Sequence, residues 1–227
     1  MRQFFILATG VALVTAGSAS AQDRRAYVGA ELGFTTSSRL DLDVTPAATV
    51  GSTGAFEAET ETSLQGSIFA GYDFGMVRAE IEASRLQGNF DKLSSDFALG
   101  NGLVAGDQSI GGELTATAVM ANLIFDAGSY RGFEFFAGAG AGQVEVDVSE
   151  LALSNGAVLL DDGDTEWQSA WQLMAGVRKP MTPNLDLHVR YRYLQVVDTE
   201  RTGFSGRVID GDFSAHTVSA GLSYRFW

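Results

Sequence analysis

Apolar and polar residues alternate with period two along most of this chain. In LDLHVRYRYL (185–194), Leu185, Leu187, Val189, Tyr191 and Tyr193 share one parity, and Asp186, His188, Arg190 and Arg192 share the other. Successive side chains of a β-strand point to opposite faces, so each such run predicts a strand with one apolar and one polar face. Eight runs fall at about 26–36, 62–74, 76–89, 113–126, 132–148, 165–179, 185–198 and 214–226. Helical periodicity is absent over any comparable length.

The intervals between the runs alternate in length. Short ones fall near Gly75, at AGSYRG (127–132) and at PMTPN (180–184), where Gly, Pro and Asn favour turns. Long ones cover about 37–61, 90–112, 149–164 and 199–213 and are rich in Ser, Thr, Gly and acids. Three short turns interleaved with four long loops predict an all-β fold, an eight-stranded antiparallel up-and-down β-barrel with both chain ends on one side.

A soluble sandwich could also bury one apolar face. Here the apolar parity continues along every strand, more than one sandwich core needs. Aromatic residues also gather at strand ends. Tyr72, Phe74, Phe125, Phe133, Phe135, Tyr224 and Phe226 lie near the short turns, and Phe34 and Trp167 near the long loops. Two such belts suit the two interfaces of a bilayer, so the barrel is expected to be transmembrane.

The first residues carry an export signature. Arg2 precedes an apolar run from Phe4 to about Val14, too short to span a bilayer, and Ala19-Ser20-Ala21 fits a small-residue cleavage site. Residues 1–21 are therefore expected to be a signal peptide cut after Ala21, leaving one barrel domain at 22–227 and a destination in the cell outer membrane.

Composition narrows the partners. The chain has 15 basic and 28 acidic residues, a formal net charge of −13, which repels the phosphates of nucleic acid. It has no Cys, hence no disulfide framework and no cysteine to carry a lipid anchor. No later segment approaches 18 unbroken apolar residues, so a bilayer can be crossed only by a closed barrel.

The polar parity gathers Glu31, Glu80, Glu82, Glu134 and Asp186 against Arg78, Arg178, Arg190, Arg192 and Arg225, with His188 among them. A confined charge without a partner is costly, so five acids and five bases on one set of faces predict a paired network. Eight strands enclose a lumen that side chains can fill, and the network is expected to plug it.

Motifs that suggest other chemistry do not hold up. FFAGAGAG (135–142) lacks the spacing of a dinucleotide loop and precedes no helix; Gly138, Gly140 and Gly142 share the lumen parity and make room for bulky neighbours. His188 could serve acyl transfer only beside a nucleophile, and the position two residues along is Arg190. It reads as a lumen hydrogen-bonding group, and His216 as an interfacial residue. Asp161, Asp162 and Asp164, with Asp210 and Asp212, could approach one another around Ca²⁺, but Asp and Gly are ordinary turn residues and solvated turns are the expectation. No catalytic residue, cofactor or metal site is assigned.

The C-terminal AGLSYRFW, together with the leader, the Gly-rich aromatic strands and the short-turn/long-loop rhythm, resembles the OmpA-like and opacity-type small outer-membrane β-barrel family, the porin-family outer membrane protein β-barrel domain. The resemblance covers the whole chain after the leader. It implies that the barrel-assembly machinery recognises the terminal aromatic strand, with Leu222, Tyr224 and Phe226 carrying that signal. One further residue, Trp227, falls on the lumen parity and departs from the family's ending. No peptidoglycan-binding domain follows, so periplasmic tethering is not implied.

The function expected is structural: an integral barrel, in contact with outer-membrane lipid and lipopolysaccharide, that supports the envelope and displays acidic loops. A narrow porin for small solutes or ions is the alternative. Adhesion to host or surface ligands through the loops is a further one. An enzyme acting on lipid A is set aside for want of a nucleophile.

Overall fold

An open sheet leaves the backbone groups of its two edge strands unpaired, and here a single sheet removes both edges by closing on itself. In the computed structural model, residues 25–44, 54–60, 63–95, 106–153, 158–160, 167–202 and 208–226 are described. They form β1 (Arg25–Val44), β2 (Gly54–Thr60), β3 (Ser63–Asp73), β4 (Val77–Ser95), β5 (Gly106–Tyr130), β6 (Phe133–Leu153), β7 (Val158–Leu160), β8 (Trp167–Pro180), β9 (Leu185–Thr202) and β10 (Val208–Arg225). Every pairing is antiparallel, and β10 returns to pair with β1.

The barrel has eight staves. β2 and β3 occupy the same place between β1 and β4, one above the other, and β7 is a short addition to β6. Around the circumference the order is β1, β3, β4, β5, β6, β8, β9, β10.

The strands run further than their periodicity suggests. The segments expected as loops contribute strand at 37–44, 54–60, 90–95, 106–112, 149–153, 158–160, 199–202 and 208–213. Their alternation is blurred by Ser, Thr, Gly and acids. β5, at 25 residues, is more than twice the roughly 9–11 needed to cross a bilayer.

AGSYRG is also shorter as a turn than its composition indicates. Strand continues to Tyr130, and only Arg131 (φ 52°) and Gly132 (φ 80°) turn the chain. Two consecutive positive φ values make the tight hairpin whose twist matches the flanking strands. A register shift between Asp126 and Gly128 absorbs the extra residue.

Candidate functional site

The parity of each strand sorts its side chains between lipid and lumen. On β9, Asp186, His188, Arg190 and Arg192 are buried inside, while Leu187, Val189 and Tyr191 are exposed outside. On β4, Arg78, Glu80 and Glu82 are buried inside and Ile81 is exposed. Leu32, Ile68, Leu123, Leu173 and Leu222 continue the apolar exterior around the barrel.

Arg190 is the hub of the lumen, and it is 1% exposed. Its Nη2 donates to Glu80 at 3.2 and 3.4 Å, and its Nη1 lies 3.8 Å from Glu31 and 3.6 Å from Glu82. The faces of Phe69 and Phe136 lie 5.1 and 5.7 Å from the guanidinium carbon. Arg192 donates to Glu31 at 2.6 Å and pairs with Glu82 at 2.8 Å. β9 thus sends two arginines to carboxylates on β1 and β4, across the barrel.

Neutral donors complete the carboxylates. Tyr27 Oη donates to Glu80 at 2.8 Å, and Ser67 Oγ to Glu31 at 3.0 Å. Asn122 Nδ2 donates to Glu82 at 3.0 Å, and Gln172 Nε2 donates to Asn122 Oδ1 at 2.7 Å. His188 Nε2 lies 3.1 Å from Glu31, and its ring packs edge-on to Phe69. This environment orients a hydrogen-bonding histidine within the network.

A second cluster sits nearer the short turns. Arg78 makes two bonds to Asp126, at 3.1 and 2.9 Å, a fork that adds geometry to charge. Arg178 meets Glu134 at 2.7 Å, Asp126 at 3.7 Å and Asp73 at 3.9 Å. Arg225 donates to Asp186 at 2.7 Å. All eleven residues assigned to the network from the sequence are therefore in ion-pair or hydrogen-bond contact within one connected lumen or at its short-turn rim.

Sequence reasoning missed Asp73 and Asp126, which it assigned to strand ends, and Tyr27, Asn122 and Gln172, which carry no charge. Parity was the available signal: Asp73 shares its face with Ser67 and Phe69, and Asp126 with Asn122 and Ile124. Including both aspartates, seven carboxylates face five guanidiniums among the described lumen residues.

Toward the long loops the lumen changes character. Leu86, Leu114, Ala116, Ala118, Val144 and Val196 are buried there, closed in by Phe213 and Ala215. The cavity left between this layer and Gln65, Gln172 and Arg192 is about 20 Å³, room for about one water.

Inward glycines let large side chains lie across the barrel. A Cβ on Gly140 or Gly142 would meet Asn122 or Met120 closer than 3.0 Å, and one on Gly176 would meet Phe136. The Gly138–Gly142 stripe is thus a bed for neighbouring side chains.

Among the described residues no group of three His, Cys, Asp or Glu is placed to hold a metal ion. Asp161, Asp162 and Asp164 lie outside the described residues, as do Ala19, Ala21 and Trp227. Asp210 and Asp212 belong to β10, in register with Asp43 and Asp41 of β1. His216 lies on the outward parity beside Tyr193, its Nδ1 2.7 Å from Tyr191 Oη.

Known structures and sequences agree with this architecture. Neisserial surface protein A superposes with a TM-score of 0.50 at 18% identity, covering 88% of this chain and 97% of that one. OprG, an outer membrane protein of Pseudomonas aeruginosa, gives 0.51 at 16% identity, covering 90% and 95%. At these identities the likeness is one of fold. An uncharacterized protein of Brucella abortus (strain 2308) is 34% identical over 111 residues, 40% of this chain. The chain spans about two fifths (39%) of the length of the curated relatives it matches. The pattern of the outer membrane protein beta-barrel domain matches residues 6–226, and with the closed eight-stave barrel this makes the chain a member of that outer-membrane family.

Proposed function

We propose that this protein is a non-catalytic integral barrel of the outer membrane, with a structural and surface-display role and a lumen plugged by its own charges. The observation that carries the reading is Arg190, fully enclosed and shared by Glu80 and Glu82 from the opposite wall and by Glu31 of β1. A solute would have to break several buried ion pairs at once, and leaving even one buried charge unpaired costs about 3–5 kcal/mol. The apolar layer above adds a second closure.

Leu222 and Tyr224 point outward on β10, half-exposed to the membrane, where the family's assembly machinery would read them together with Phe226. Outer-membrane lipid and lipopolysaccharide are then the immediate surroundings.

Single-channel recording of the refolded barrel in a planar bilayer tests the plug. Electrical silence, with heat-modifiable gel migration confirming the fold, is the expected result. Discrete and reproducible openings would overturn it in favour of a narrow porin.

A further inference from the structure

The inward glycines of this barrel are explained by packing, but Gly66 on β3 is not. Its Cβ would point outward and meet only Leu32 Cδ2, at 3.5 Å, an ordinary contact. A glycine in a strand interior gives up backbone stability and side-chain packing, so one without an inward reason has its effect outside. What it does there is leave a groove open.

Strand register defines that groove. One outward row runs Ala220, Leu32, Gly66, Arg85, Thr117 across five neighbouring strands. The row beneath it, toward the short turns, runs Leu222, Ala30, Ile68, Ala83, Val119. Leu32, Ile68 and Leu222 stand up as walls, and the alanines and Gly66 form the floor of a shallow depression of about 710 Å³, open to the membrane.

Arg85 closes the groove at the β4 side. Among the described side chains it is the one cation on the outward face in the long-loop half of the barrel. Among the described residues it has no ion pair or side-chain hydrogen bond. The next row up carries exposed Phe34 and Leu64 on β1 and β3 but Gln87 and Thr115 on β4 and β5, so the guanidinium sits at the upper edge of the apolar band. A charge on the lipid face is unfavourable by an amount that grows with depth, which an anion beside it offsets. Long loops face outward in this class of barrel, so this edge lies in the outer leaflet.

We propose that the β1/β3/β4 face is a binding site for one molecule of the phosphorylated glycolipid of the outer leaflet. A phosphate takes the two-pronged donor of Arg85, and an acyl chain lies over Gly66, Ala83 and Ala30 between the Leu32 and Ile68 walls. Arg fits this role because its planar fork matches phosphate oxygens and its stem can lie along apolar surface. The site is independent of whether the lumen conducts.

Native mass spectrometry of the detergent-released barrel tests the assignment, with bis-phosphorylated lipid A, dephosphorylated lipid A and phosphatidylglycerol as probes. Wild type is expected to retain one bis-phosphorylated lipid A in preference to the other two. Arg85→Gln removes the charge and Gly66→Leu fills the floor, and each is expected to lower retention about tenfold, with Arg85→Lys recovering part of it. Neither position holds the lumen together, so both variants should show wild-type heat-modifiable migration. Retention unchanged in both variants would overturn the site. Equal retention of dephosphorylated lipid A would remove the phosphate, and equal retention of phosphatidylglycerol would overturn the glycolipid in favour of any anionic lipid.

Discussion

The two halves of the lumen are filled by opposite chemistry on the same staves. Toward the short turns, Arg190 and Arg192 answer Glu31, Glu80 and Glu82 through a shared network. Toward the long loops, Leu114, Val144, Val196 and Phe213 fill the space with hydrocarbon. Both arrangements close the barrel, but they respond differently to damage. A network of buried charges fails as a unit, because each group left behind is still buried and still charged. An apolar layer fails locally, because a missing side chain leaves only a cavity.

The sharpest break in that contrast is Arg190→Met. It leaves three carboxylates without their common partner and should lower stability by about 3–5 kcal/mol, read as the urea midpoint in lipid vesicles. Adding Glu80→Gln to that variant should restore part of the loss, so the pair departs from additivity. If the two losses simply sum, the network reading fails. In the upper layer, Leu114→Ala should cost ~2–3 kcal/mol, near the low end for a core leucine, with no rescue by any charge change below.

Smaller effects sharpen the comparison. Gly132→Val forces a β-branched residue to φ near 80° and should cost about 1–2 kcal/mol, mainly by loosening the β5–β6 hairpin outside both layers. Tyr27→Phe removes one donor from Glu80 and should cost about 1 kcal/mol, visible as faster unfolding with the fold intact.

How much of this was legible in the sequence follows the same division. Where one face meets lipid, parity is enforced, so ten residues sort Asp186, His188, Arg190 and Arg192 onto one face, and the aromatic belts and apolar parity of the other strands turn that face inward. Above the bilayer neither face is constrained, and the extensions of β1, β4, β5 and β10 read as loops. Asp73 and Asp126 were hidden for another reason: an aspartate beside a turn is ordinary in composition, and only the register that brings Arg78 and Arg178 to them gives them a partner. The apolar upper layer was missed because its residues occupy the parity that holds charges lower on the same strand. Leu86 follows Glu82 and Glu80 on β4, and a hydrophobic residue on a polar face reads as noise until the barrel is closed. Gly66 shares its parity with Leu64 and Ile68, so alternation alone puts it outward, but only the register that sets it between Leu32 and Arg85 shows what it leaves open.

The seam between β1 and β10 sets an order of events. It joins Tyr27 to Arg225, and Thr35 to Thr217 by a hydroxyl contact of 2.9 Å across 182 residues of chain. Such distant pairing is slow to find, since the whole intervening chain must be ordered first. Until it forms, β1 and β10 present open edges, which hydrocarbon does not tolerate. The pairing of β10 with β1 is therefore what ends the exposure of both edges. For this protein, closing the β1–β10 seam removes the last unpaired edge that hydrocarbon would have to accommodate.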